Sequence, residues 1–280
     1  IRPLYRCLKG EVIEEITGIL NGTTNYILTR MDRAGVSFEA ALKEAQDMGY
    51  AERNPEADVE GHDTCRKIAI LTAMATGKEV NYEDIYTEGI TRITDVDFQY
   101  AEKLGASVKL FGSSRIDGEQ VHAWVAPVMI GRDHVLYSVS DVFNGVMVKG
   151  NMVGTTMFYG SGAGKLPTAS AVVADIIAAV RHKNMNIAIG WSEERQTIVP
   201  MDTSSYRYFV RVDGNCEENR SRVEAVFGKA ELTVLDGLDE FAFVTEKMTE
   251  AAFKEKAVEF DSACQAFGKK GILQMIRAEL

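Results

Sequence analysis

Residues 49 to 67 read GYAERNPEADVEGHDTCRK, with carboxylates at Glu52, Glu56, Asp58, Glu60 and Asp63 and the cations Arg66 and Lys67 at the close. Asp63 and Lys67 stand four apart, so on a helix they share one face. A carboxylate beside a lysine favours its charged form and partial burial opposes it, so a lysine placed this way can be tuned for proton transfer. Carboxylates around it can hold the ammonium group of a small substrate. The plain alternative is an exposed ion pair beside a solvated turn, which contributes little. Residue types alone leave these two readings level.

Two further stretches carry candidate chemistry. In YGSGAGKLPTAS (159–170) the glycines stand just before a helix, where a backbone can approach a flat or anionic ligand with the helix dipole in support. It is not a P-loop: the pattern GxxxxGK[ST] would place its first glycine at Tyr159 and its hydroxyl at Leu166. Nor is it a dinucleotide fingerprint, since Gly160 and Gly162 fit GxGxxG but the last position is Lys165. On spacing alone a tight turn feeding a packed helix is the favoured explanation of the cluster. In NGTTNY (21–26), helix capping by Thr23 or Thr24 accounts for the residue types without any further role.

The elements that must position these residues follow from periodicity. EVIEEITGIL (11–20) reads as a strand, running through Gly22 into a helix. SFEAALKEAQDMG is an amphipathic helix with Ser37 as cap, Phe38, Ala41, Leu42, Ala45 and Met48 as stripe and Gly49 as stop. HDTCRKIAILTAMATG is a helix ending at Gly77. Residues 107–130 are two strands about the Asp117-Gly118 turn, and 135–160 continue as short β pieces with glycine breaks. Pro167 sits in the first turn of an apolar helix reaching about Val180. From Tyr206 the order is βαββαβ: YRYFVRV, ENRSRVEAVFG, ELTVL, EFAFVTE, AAFKEKAVEFDSACQAFG and ILQMIRAE. The expected architecture is α/β (α+β), a mixed sheet with helices packed on it, then a small ferredoxin-like unit. The domain boundaries read as 1–181, a linker at 182–203, and 204–280.

Composition narrows the partners. The chain has 280 residues, 46% hydrophobic and 26% charged, with a formal charge of −10, which disfavours nucleic acid and anionic membranes. No apolar run approaches the roughly 20 residues a membrane helix requires. Cys7, Cys65, Cys216 and Cys264 lie far apart and read as free thiols of a reducing cytoplasm. His62, His122, His134 and His182 are scattered, so no metal site is expected.

The run Ala45, Gly49, Tyr50, Ala51, Asn54, Pro55, Asp58, Val59, Gly61, Asp63, Lys67 resembles the signature segment of the homoserine dehydrogenase family at every defined spacing. NGTTNYILTRM and YGSGAGKLPTASAVVADI are similar to two further segments of that family, in the same order, so the likeness spans roughly residues 1 to 180. The resemblance implies reversible oxidation of homoserine to aspartate semialdehyde with NAD or NADP. It implies that Glu52 contacts substrate, that Asp58 and Asp63 are substrate-site aspartates, and that Lys67 donates or accepts the proton. Tyr50 and Thr23 would border the same cleft, and Gly160, Gly162, Ala163 and Gly164 would lie against the nicotinamide.

Two departures qualify the likeness. The family's nucleotide domain, a further active-site lysine and most of a metal-ion loop would precede Ile1. The expectation is therefore a C-terminal portion that does not by itself bind cofactor tightly. The βαββαβ unit resembles an ACT domain, implying threonine feedback, but it has DGNCEENRS where the usual Arg/Lys-Pro-Gly turn would stand. A homodimer or tetramer assembled through exposed sheet edges is expected. The competing reading is a non-catalytic amino-acid sensor, an ACT module on an α/β platform.

Overall fold

The structure is a computed structural model, and it describes residues 1–185, 190–266 and 270–280. Part of the expected linker and the helix end expected at Phe267–Gly268 lie outside the described residues. From the N-terminus run α1 (Arg2–Arg6), β1 (Ile13–Ile19), α2 (Gly22–Ala34), α3 (Phe38–Asp47), α4 (Glu56–Val59) and α5 (His62–Thr76). Then come β2 (Lys78–Glu79), β3 (Tyr86–Thr87), α6 (Asp95–Lys103), β4 (Ala106–Asp117), β5 (Gln120–Gly131), β6 (Phe143–Gly150), β7 (Gly154–Ser161) and α7 (Lys165–Arg181). The remainder is β8 (Ser192–Arg195), β9 (Ser205–Asp213), α8 (Cys216–Phe227), β10 (Leu232–Val234), β11 (Glu240–Val244), β12 (Met248–Thr249), α9 (Glu250–Gln265) and β13 (Ile272–Glu279).

Local signals explain most element ends. The Ser37 side chain accepts from the Ala40 amide to start α3, and α5 stops at Gly77, where φ is +70°. Asp117 pairs with Gln120 across the expected hairpin turn. Two expectations are corrected. The cap of α2 is Asn21, which has extended dihedrals and accepts from the Thr24 amide; Thr23 and Thr24 already lie inside the helix. Met48 is exposed instead of joining the α3 stripe, and its sulfur accepts from the Tyr26 hydroxyl.

The strands line up as β10-β11-β9-β13-β5-β4-β1-β6-β7 in one mixed sheet. The C-terminal elements keep the βαββαβ order, with β12 added before α9, but their sheet continues that of the first 161 residues. The join is parallel, Arg277 to Glu279 of β13 against Val128 to Ile130 of β5. The same edge of β5 takes β3 one step earlier, Tyr86 and Thr87 against Trp124 and Val125. The connecting stretch is partly built in: β8 pairs with β2, Gln196 is buried, and Ile198 bridges to Val121.

Side-chain alternation then assigns the layers. Helices α2, α5 and α6 cover one face of β4, burying Ile27, Leu28, Ile68, Phe98, Val108 and Leu110 in the main core. On β9, Phe209 joins that core, whereas Tyr208, Val210 and Val212 face a second core closed by Phe227, Phe253 and Phe260 of α8 and α9. Arg211 points the way Phe209 does. It bonds Asp97 of α6 at 2.7 Å and clamps Glu240 at 2.9 and 3.0 Å, so a buried ion triad ties α6 to the C-terminal strands. Lys109 is another buried cation, on β4. It donates to the Val139 carbonyl at 2.9 Å, and burial pushes its ammonium down to about 8.

Candidate active site

The acidic stretch folds as a one-turn helix, α4, followed directly by α5, and this places three of its charged groups side by side. Asp63 falls in the first turn of α5, where the helix dipole favours a carboxylate. One turn on, Lys67 Nζ donates to Asp63 Oδ2 at 2.6 Å and to the Leu20 carbonyl at 3.0 Å. The amide of Asn21 joins the remaining carboxylate, donating to Asp58 Oδ1 at 2.7 Å and Asp63 Oδ2 at 2.9 Å. Its Oδ1 meanwhile caps α2 through the Thr24 amide at 2.8 Å. One asparagine therefore fixes a helix start and two acids together.

The charge balance leaves room for a cation. Burial, with the neighbouring Asp63 and Glu52 carboxylates, pushes the Asp58 carboxyl up; the Asn21 bond and the Lys67 charge pull the other way without cancelling it. Lys67 serves Asp63, while Asp58 is held by a neutral amide. A ligand ammonium beside Asp58 would relieve its position.

The other expected residues surround this cluster. Glu52 is exposed, its own carbonyl accepting from Gln46 at 3.1 Å, and it reaches the cluster through its charge. Tyr50 is exposed at the rim and lies edge-on to Tyr26 at 4.9 Å. Thr23 is not among the groups that meet the carboxylates: its hydroxyl donates to the Tyr50 carbonyl at 2.7 Å, so it holds the rim.

Gly162, Ala163 and Gly164 are exposed and Gly160 is half-buried, forming an open strip that leads into α7. A Cβ at Gly162 would overlap Asn144 Oδ1 and lie 2.9 Å from its Cγ, so only glycine lets the strip pass Asn144 so closely. Asn144 in turn donates to the Ile19 carbonyl at 3.0 Å, one residue before the carbonyl that receives Lys67. The strip and Lys67 are thus linked, through Asn144, to the carbonyls of the neighbouring residues Ile19 and Leu20. Gly160, Gly162, Ala163 and Gly164 leave little side-chain bulk along this strip.

Asn21, Asn144 and the Leu20 carbonyl escaped the sequence reading. Asn21 carried a signal: an asparagine at a helix start commits its oxygen to the cap and leaves its NH2 free to donate. Asn144 carried none, since nothing in its neighbourhood sets it apart from other strand residues. Among the described residues no group of three or more His, Cys, Asp or Glu is placed to hold a metal ion, and no helix is long and apolar enough to cross a membrane.

With this geometry in place, comparison with known proteins locates the chain. The family model described as homoserine dehydrogenase matches residues 1–177. A homoserine dehydrogenase of Mycobacterium leprae is 38% identical over 301 aligned positions, covering 100% of this chain and 67% of that protein. The crystal structure of a homoserine dehydrogenase from Thiobacillus denitrificans superposes with a TM-score of 0.86 at 32% identity, covering 99% of this chain and 67% of that one. A hyperthermophilic archaeal homoserine dehydrogenase solved in complex with NADPH superposes with a TM-score of 0.54 at 28% identity, covering 67% of this chain and 54% of that one. The chain spans 67% of the length of the Mycobacterium leprae relative and 42% of that of a homoserine dehydrogenase from Corynebacterium glutamicum.

Proposed function

The chain belongs to the homoserine dehydrogenase family, and from that premise we propose that it carries the substrate-binding and proton-transfer side of an NAD- or NADP-dependent oxidation of L-homoserine to L-aspartate 4-semialdehyde. The observation that carries this reading is the Asn21–Asp58–Asp63–Lys67 cluster, with Lys67 Nζ 2.6 Å from Asp63 Oδ2. An ammonium has three N–H directions. Asp63 and Leu20 take two of them, leaving one for a substrate oxygen. Protonated, Lys67 gives that proton to the aldehyde oxygen in reduction; deprotonated, it takes the hydroxyl proton in oxidation. Asp58, with Glu52 behind it, holds the substrate ammonium. A bound nicotinamide nucleotide supplies the hydride acceptor.

Much of the nucleotide's binding surface lies outside this chain in our reading, because its relatives are longer and α7 exposes Leu166, Val172, Val173, Ile176, Ile177 and Val180. Such an apolar face is a natural seat for a further part of the molecule. We also propose residues 204–280 as an ACT-like module answering to threonine, a homodimer or tetramer built on exposed sheet edges, and a cytoplasmic setting. The relatives above are dehydrogenases, which does not favour the non-catalytic sensor.

The test uses the full-length polypeptide and the pH dependence of homoserine KM. Because burial and the neighbouring carboxylates push Asp58 up, it takes on its proton at a higher pH than an ordinary aspartate does. The attraction for the ammonium then falls, so KM rises as pH drops from neutral. Asp58→Asn should raise KM at neutral pH by roughly 10- to 100-fold, the worth of a charged hydrogen bond, and flatten that rise. An unchanged KM in Asp58→Asn would count against Asp58 as the ammonium partner.

A further inference from the structure

We infer that Glu88, Gly89 and Ile90 form a brace through which the C-terminal strand β13 sets the position of Asp58; the consequence for substrate rests on the reading of Asp58 given above. At one end, Arg277 Nη1 bonds Glu88 Oε2 at 2.8 Å. The same guanidinium is held in place by Glu250, at 2.7 and 3.1 Å, and both residues are 1% exposed. The Tyr86 hydroxyl donates to Glu88 at 3.1 Å, and the Glu88 amide donates to the Val125 carbonyl at 2.8 Å. Side chain and backbone of Glu88 are therefore fixed to β13 and β5.

At the other end the next two residues press on α4. The Ile90 amide donates to the Val59 carbonyl at 2.8 Å, and Val59 is the neighbour of Asp58. A Cβ at Gly89 would overlap that carbonyl oxygen and come 2.5 Å from Glu60 Cα, so the two backbones are in direct contact. Gly61 faces Thr87 and the Glu88 carbonyl across the same seam. A helix of one turn has little stability of its own. Alongside α2 and α5, the segment 88–90 packed against α4 holds that helix, and with it the 2.7 Å contact from Asn21 to Asp58. Glu88 and Gly89 act on Asp58 as positioning residues.

The experiment compares Gly89→Ala and Glu88→Gln in the full-length polypeptide, measuring amide hydrogen exchange at residues 58–61 together with kcat and KM for homoserine. Those amides donate to Pro55, Glu56 and Asp58 carbonyls within α4, so they report on its placement without reference to catalysis. Gly89→Ala should speed their exchange about tenfold and raise KM about tenfold, with kcat within about threefold. Glu88→Gln should move both in the same direction by less, and it carries the test should the alanine variant not fold. Unchanged exchange at 58–61 overturns the brace, whatever KM does. Faster exchange with unchanged KM upholds the brace and removes Asp58 from substrate binding, so the two ideas fail separately.

Discussion

Lys67→Ala in the full-length polypeptide is expected to lower kcat for homoserine oxidation by about 10³-fold, within the range a positioned proton-transfer group supplies. The fold should survive, because the Lys67 side chain is 48% exposed and Asp63 keeps its bond from Asn21. Lys67→Arg makes the sharper comparison. Arginine preserves the positive charge beside Asp63 but does not deprotonate in a protein, so it cannot accept the hydroxyl proton. If Lys67 acted only by its charge, the arginine variant would retain much of the activity. The proton-transfer account expects it to fail nearly as badly as alanine. Steady-state rates for both variants, with circular dichroism as the check on folding, decide between them.

The second large effect is on stability. Arg277→Met should destabilise the protein by about 3–5 kcal/mol, the usual consequence of removing one partner of a buried ion pair. The methionine leaves Glu250, 1% exposed, with the Tyr208 hydroxyl at 3.0 Å but without the guanidinium that bonds it. Burial works against the charge on Arg277, but Glu250, Tyr86 and Glu88 outweigh it and raise its hold on the proton above the ordinary arginine value. At roughly 2–4 °C per kcal/mol for a chain of this size, the melting temperature should fall by on the order of 10 °C. Adding Glu250→Gln removes the stranded charge and should restore part of the loss. Thermal unfolding of single and double variants measures both. A single variant that melts within about 2 °C of the parent would mean the bonds of Arg277 to Glu88 and Glu250 do not tie the C-terminal strand to the sheet.

What could be read without coordinates was what lay close along the chain. Asp63 and Lys67 were legible as a pair because a helix turn brings residues four apart together, and the carboxylates before them because they share one span. The βαββαβ order was legible from alternation and turn residues. Asn21 joins that site from 37 residues before Asp58, and a helix-capping reading already accounted for it. Asn144 lies further away still, on β6, and gains meaning only from the glycine strip beside it. The parallel join of β13 to β5 depends on which strand edge is left unpaired, and hydrophobic pattern does not record that. The Glu88–Arg277 contact spans 189 positions, and Gly89 looks like any turn glycine until the Val59 carbonyl is seen against it.

The most direct measurement is a crystal structure of the full-length polypeptide with homoserine and NADP bound. The account predicts the homoserine hydroxyl oxygen within hydrogen-bond distance, about 2.6–3.2 Å, of Lys67 Nζ, its ammonium against Asp58 and Glu52, and the nicotinamide on the Gly160–Gly164 strip. Homoserine bound with its hydroxyl away from Lys67, or with its ammonium turned from the carboxylates, would contradict it.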